Sequence, residues 1–245
     1  MKKTLLQIVQ EILNDMDSEP VNTIGDSVEA EQIASVVESV YYNLVSTSNI
    51  PEHFEFFTLE AYTDDEFPTH FSTGDSVKGI ERIWYDVSEA EDGSSYREIK
   101  FLEPLEFVKW VESNSLSYDI VTSNGVRYKV GNDSNPKYYT SFDDESIVFD
   151  SYDSDIENTL QSSKTRVYGS VIPAFTQVDS FVPDLDAVYF PYLISEAKST
   201  CMDIYKGGTT PKIDQQSRRQ KSYIQNDNYK TKRNKRVAYG RHRRT

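Results

Sequence analysis

Residues 188–206, VYFPYLISEAKSTCMDIYK, decide how this chain is organised. Val188, Tyr189, Tyr192, Leu193, Ala197, Cys201 and Ile204 recur at helical spacing, Lys206 puts a cation in the last turn, and Gly207-Gly208 supplies the stop. Pro191 marks the start, because proline fits the first turn of a helix and breaks its interior. Helical periodicity thus returns after about 130 residues dominated by a different pattern.

Upstream of that stretch, helical spacing is confined to the amino end. Leu5, Leu6, Ile8, Val9, Ile12, Leu13 and Met16 predict a helix from Thr4 to Asp17, with Thr4 and Gln7 at capping-box spacing and Pro20 beyond its end. A second helix is expected from Asp26 or Ser27 to about Val45, on Ile33, Val36, Val37, Val40, Tyr41 and Leu44. After Ile50-Pro51 the period falls to two. The runs 54–59, 80–87, 96–101, 118–122, 126–130, 138–141, 146–149 and 165–171 read as strands, with hairpin signals at Asp92-Gly93 and Asn124-Gly125. Residues 104–112 read as a short helix among them, opened by Pro104.

This order predicts an α+β fold: an α-helical bundle built from the N-terminal and C-terminal helices, an antiparallel β domain inserted between them, and an extended C-terminal arm. The expected boundaries are 1–50 with 183–207 for the helical domain, 51–182 for the β domain and 208–245 for the arm. From Thr209 onward Ile213, Ile224 and Val237 are the only aliphatic residues besides one alanine, too few to order the arm by themselves.

Charge divides along the same line. The chain of 245 residues carries −14, but residues 207–245 hold twelve basic and two acidic groups, +10, and residues 1–206 hold fourteen basic and 38 acidic groups, −24. A single cysteine, Cys201, excludes an internal disulfide framework and a cysteine-rich zinc site and fits a reducing compartment. Nothing reads as a membrane span or a signal peptide, so the expectation is a soluble protein, intracellular when made.

Catalytic chemistry finds little material. His53, His70 and His242 are the only histidines, and Cys201 lies on the apolar stripe of the last helix, where a thiol packs more often than it reacts. Acidic clusters occur at residues 64–66 and 143–145 and at Asp150, Asp153 and Asp155; the last lacks the glycine and the closing glutamate of a calcium loop and reads as a solvated loop. No glycine-rich phosphate cradle is present, and no catalytic residue, metal or cofactor is expected.

The arm differs in kind. Arg218, Arg219, Lys221, Lys230, Lys232, Arg233, Lys235, Arg236, Arg241, Arg243 and Arg244 are interleaved with Tyr223, Tyr229 and Tyr239, which makes these fourteen the candidate partner-binding residues. The pattern suits nucleic-acid phosphates or an acidic or grooved protein surface. Extended, the 38 residues after Gly207 reach about 125 Å, enough to cross from one subunit to another.

The run Leu5 to Met16 (LLQIVQEILNDM), then Val21-Asn22-Thr23-Ile24, Glu29 to Ala34 (EAEQIA) and Tyr41-Tyr42-Asn43-Leu44 resembles the amino end of the head-to-tail adaptor proteins of short-tailed phages, also called tail tubular protein A. Phe190 to Lys198 (FPYLISEAK) resembles the family's returning helix, and a basic carboxy-terminal extension is a family habit. The resemblance covers about residues 4–45 and 185–245; the β region, larger than a minimal adaptor's, matches only in kind. It implies a non-enzymatic virion protein at the portal vertex, made in the host cytoplasm and forming a ring, commonly of twelve copies, between portal protein and tail nozzle. Genomic DNA would pass through its lumen without sequence-specific binding, and an acidic body would keep phosphates from sticking. The arm would dock on the portal, its Arg and Lys residues pairing with acidic groups and its tyrosines filling pockets. The competing readings are a nucleic-acid-binding accessory protein that uses the basic tail and a hydrolase or metal enzyme that uses His53, His70 and the acidic loops.

Overall fold

A computed structural model describes residues 2–62, 67–88, 95–114, 117–123, 126–143, 145–154, 162–208, 211, 213 and 215–224. The chain is mixed α and β and divides into two compact units, one from Met1–His53 with Ile172–Thr245 and one from Phe54–Val171.

The first unit begins with α1 (Leu5–Asp15). Thr4 caps it: its hydroxyl accepts from the Gln7 amide at 3.3 Å, and the Gln7 side chain accepts from the Thr4 amide at 3.1 Å. Helix α2 (Val28–Thr47) is capped by the Ser27 hydroxyl on the Ala30 amide at 3.1 Å, with Glu29 and Glu31 in its first turn, where the helix dipole favours them. Residues 172–182, expected in the β domain, belong to this unit instead. The Phe181 carbonyl accepts from the otherwise orphaned Leu5 amide at 2.7 Å, and the Asp179 carboxylate accepts from the Ile24 amide at 2.8 Å, so the strap bonds helix ends and not a strand ladder. The returning helix runs Phe190–Lys206 with Pro191 in its first turn and Gly207 at φ 72° closing it. Leu5, Ile8, Ile33, Val37, Tyr41, Phe190, Leu193 and Cys201 share one buried cluster.

That cluster includes a residue the sequence reading left unordered. Residues 215–224 are helical, Ser217 is 5% exposed and Ile224 is 4% exposed and packed in the helical core. The extended arm therefore does not start at residue 208. Ser217 and Ile224, on one helical face, are buried and tie the segment down, although its composition is too polar to announce a helix.

The second unit contains β1 (Phe54–Phe57), β2 (Glu60–Ala61), β3 (His70–Ser72), β4 (Val77–Asp86), β5 (Tyr96–Phe101), β6 (Tyr118–Ser123), β7 (Val126–Gly131), β8 (Tyr138–Thr140), β9 (Ser146–Phe149) and β10 (Thr165–Val171). Among the described residues an eight-stranded sheet has the order β1-β10-β4-β5-β8-β9-β3-β2, and β6 pairs with β7 separately. The expectation of an antiparallel domain needs correction. β5 and β8 run parallel, Lys100 opposite Tyr138 and Phe101 opposite Tyr139, because the connection between them is a long crossover holding the helix Pro104–Asn114 and the β6–β7 hairpin. The register of that hairpin pairs Ser123 with Val126, while Asn124-Gly125 itself, like Asp92-Gly93, lies outside the described residues.

Alternation builds two cores here. Leu59, Phe71, Ile83, Tyr85, Ile99, Phe149 and Val167 fill one, and Phe107, Val111, Val121, Tyr128, Val130 and Val148 join the short helix, the hairpin and β9 in the other. Gly169 marks an irregularity: the β10–β4 register shifts between Tyr168 and Gly169, and a Cβ there would lie 2.5 Å from the Gly79 carbonyl oxygen.

Candidate functional site

Of the fourteen arm residues, four are described. Arg218, Arg219, Lys221 and Tyr223 lie on the helical segment 215–224, all exposed, Tyr223 by 58%. Tyr229, Lys230, Lys232, Arg233, Lys235, Arg236, Tyr239, Arg241, Arg243 and Arg244 lie outside the described residues. The segment is fixed at two points: Ile224 enters the helical core, and the Ser217 hydroxyl donates to Glu196 Oε2 on the returning helix. Arg218 and Arg219 are exposed off the face that carries Ser217 and Ile224, and Lys221 is exposed on that face.

Beside this helix lies an open groove of about 530 Å³. Val36 and Val40 of α2, with Tyr192 and Ile204 of the returning helix, give it apolar surface; Glu196 and Lys221 bring opposite charges to it. Ser35, Ser39 and Asn43 line the α2 side with small polar groups. The groove was not legible in the sequence, although the polar short side chains at 35, 39 and 43, spaced four apart next to Val36 and Val40, are its trace.

The residues considered for catalysis are placed differently. His53 and His70 are each 4% exposed. His53 Nε2 is 2.7 Å from the Asp184 carbonyl oxygen, a bond within the helical unit, and His70 Nε2 is 2.9 Å from the Tyr128 hydroxyl within the β unit. Burial lowers the His70 pKa to about 4 and pushes the Cys201 thiol up to about 12, so neither group carries charge near neutral pH. His242 lies outside the described residues.

Asp150, expected in a solvated loop, is 7% exposed. One oxygen accepts from the Lys137 and Tyr138 amides at 2.8 and 3.0 Å and the other from Trp110 Nε1 at 3.2 Å, while burial raises its pKa. Those bonds join three separate segments of the β unit, which is a structural use of the carboxylate. Asp143 is capped by the Ser146 amide and hydroxyl, both at 2.8 Å; residues 64–66, Asp144 and Asp155 lie outside the described residues. Among the described residues no group of three or more His, Cys, Asp or Glu side chains is placed to hold a metal, and no helix is long and apolar enough to cross a membrane.

A second surface, unmarked by any motif, lies on the β unit. Phe56, 64% exposed on strand β1 at the end of the strand order, has its ring centroid 5.0 Å from Tyr168 and 6.2 Å from Trp84, and Phe54 is 5.9 Å from Tyr168. Arg166 lies 3.6 Å from the Tyr96 ring centroid, and Arg82 pairs with Glu98 at 3.7 Å. Alternation on β1, β10 and β4 puts these rings opposite the half-buried Phe57 and the buried Val167 and Ile83 positions; the sequence signal was aromatic residues at the outward positions of strands. In comparisons with known proteins the chain matches no family model and no curated protein.

Proposed function

We propose that this chain is a structural virion protein, a head-to-tail adaptor that joins a portal to a tail nozzle and works without catalysis or cofactor. The carrying observation is the organisation of the chain: amino-terminal helices and a returning helix share one unit, a β unit is inserted between them, and a basic segment follows. In this reading the helices form a bundle turned to the portal, the β unit serves the nozzle, and identical copies close into a ring, twelve by the resemblance. A head-to-tail interface between copies is what closes such a ring. The acidic β unit, with ten basic and 24 acidic groups, suits a passage through which DNA must slide without adhering.

The free part of the portal-binding arm in this reading begins after Ile224, the last residue anchored in the helical core. Arg218, Arg219, Lys221 and Tyr223 remain at its root, and the residues from Tyr229 to Arg244 carry the contact.

The test is a particle preparation. Filled particles are expected to contain the protein, and rotational averaging is expected to place it as a ring at the portal vertex. A chain ending at Ile224 is expected to fold and to leave filled heads without tails. Absence of the protein from filled particles overturns the reading, and normal tail attachment by the shortened chain overturns the role of the arm. Tight, steeply salt-dependent DNA binding by the whole protein would favour the nucleic-acid accessory reading instead.

A further inference from the structure

The helical unit holds sixteen basic and sixteen acidic groups, and they are segregated. Residues 1–53 and 172–224 carry eight basic and fifteen acidic groups, a net −7; residues 225–245 carry eight basic and one acidic, a net +7. The two parts are equal and opposite, and they are joined at Ile224. Lys221 lines the groove between α2 and the returning helix, and Ile224 follows it by about one helical turn, so the chain leaves its last anchored residue beside that groove.

We propose that this groove is the docking site for the chain's own residues 225–245, with Tyr229 as the ring that enters it. The groove's 530 Å³ falls within the range of roughly 300–1,000 Å³ typical of sites that bury most of what they bind. Tyrosine suits both of its surfaces, its ring against Val40 and Tyr192 and its hydroxyl toward Ser35 and Ser39. Reach fits as well. Five extended residues from Ile224 to Tyr229 span about 17 Å, and Gln32 to Asn43, the α2 stretch that lines the groove, is about 16 Å long. Lys230, Lys232 and Arg233 follow it and are opposite in sign to the net −7 of the part of the chain that carries the groove. Tethering makes the encounter intramolecular, at an effective concentration on the order of millimolar, so modest contacts suffice. The inference concerns where the arm rests when no partner is present, and it goes beyond the adaptor reading: either can fail without the other.

Hydrogen exchange tests it on the full chain and on the chain ending at Ile224. At about 20 mM salt, peptides within residues 32–43 and 196–205 are expected to exchange at least about threefold more slowly in the full chain, and about 0.5 M salt is expected to remove the difference. Ser39 is exposed, so Ser39→Arg puts bulk and a like charge into the groove without touching the core. Full-length and shortened chains that both carry Ser39→Arg are expected to exchange alike, and full-length Tyr229→Ser is expected to lose most of the protection. Equal exchange in the two unmodified chains overturns the proposal, as does protection that survives Ser39→Arg. Protection that grows with protein concentration also overturns it, because the arm would then come from a second copy.

Discussion

His70 shows what the interior of the β unit asks of one side chain. Its ring stacks on Tyr62 at 6.0 Å, meets Phe67 edge-on at 5.0 Å and shares a hydrogen bond with the Tyr128 hydroxyl. Burial holds its pKa near 4, and the opposing pull of the Asp143 carboxylate does not restore it. An unfolded histidine titrates near 6.5, so the unfolded β unit binds a proton between about pH 6.5 and pH 4 that the folded one does not. The contribution of His70 to stability is full above about pH 6.5, falls as pH drops toward 4, and levels off below it, by at most about 3 kcal/mol. Both tryptophans, Trp84 and Trp110, lie in this unit, so their emission during urea unfolding reports it directly. His70→Gln keeps a partner for Tyr128 and does not titrate; its unfolding midpoint is expected to stay flat over that pH window. A midpoint that falls equally in the wild type and in His70→Gln would assign the pH dependence to the carboxylates. The sequence singled out His70 as one of three histidines with potential chemistry, but a buried and an exposed histidine on an alternating strand look alike until the neighbouring strands are known.

The helical segment 215–224 makes a similar point for an element. Its register against the core depends on Ile224 and on the Ser217–Glu196 bond, with Arg218 and Arg219 exposed off the face these two share and Lys221 at the groove. Ile224→Ala is expected to cost about 2 kcal/mol, the low end for a buried aliphatic truncation because a terminal segment can relax, and to speed trypsin cleavage after Arg218 and Arg219. Unchanged cleavage would mean that Ile224 does not anchor the segment. Regular elements were legible wherever periodicity was strong: the Thr4-capped helix, the helix after Ser27, the Pro191 start and the strands from Phe54 to Val171. Three kinds of element were not. Strands β2 and β3 are two and three residues long, too short to show a period. The parallel pairing of β5 with β8 is a property of two distant segments and leaves no local trace. The 215–224 helix gains its order from a core built by other elements, which overrides a polar composition.

At the scale of the molecule, the charge split changes meaning once the units are known. The −24 and +10 of body and arm become a β unit of −14 and a helical unit whose charges cancel, so the whole net charge of the chain belongs to the insertion. The insertion is also closed on itself. Phe54 lies opposite Ser170 at the start of β1 and near the end of β10, an antiparallel pairing that brings the two ends of the insert to within about 5 Å. None of the residues in the helical core cluster comes from the insert, and the two β-unit clusters draw on residues 57–167 alone. Each unit thus meets the condition for folding alone, a core of its own and ends at its margin. Replacing residues 54–171 by about four Gly and Ser residues is expected to leave a chain that unfolds cooperatively with a helical circular-dichroism signal and elutes near neutrality on ion exchange. Residues 54–171 expressed by themselves are expected to fold, to keep buried tryptophan emission and to elute as a strong anion. If the joined helical chain shows no cooperative transition while the excised β unit folds, the helices depend on the insertion and the two-unit description fails for that half; if neither folds, it fails for both.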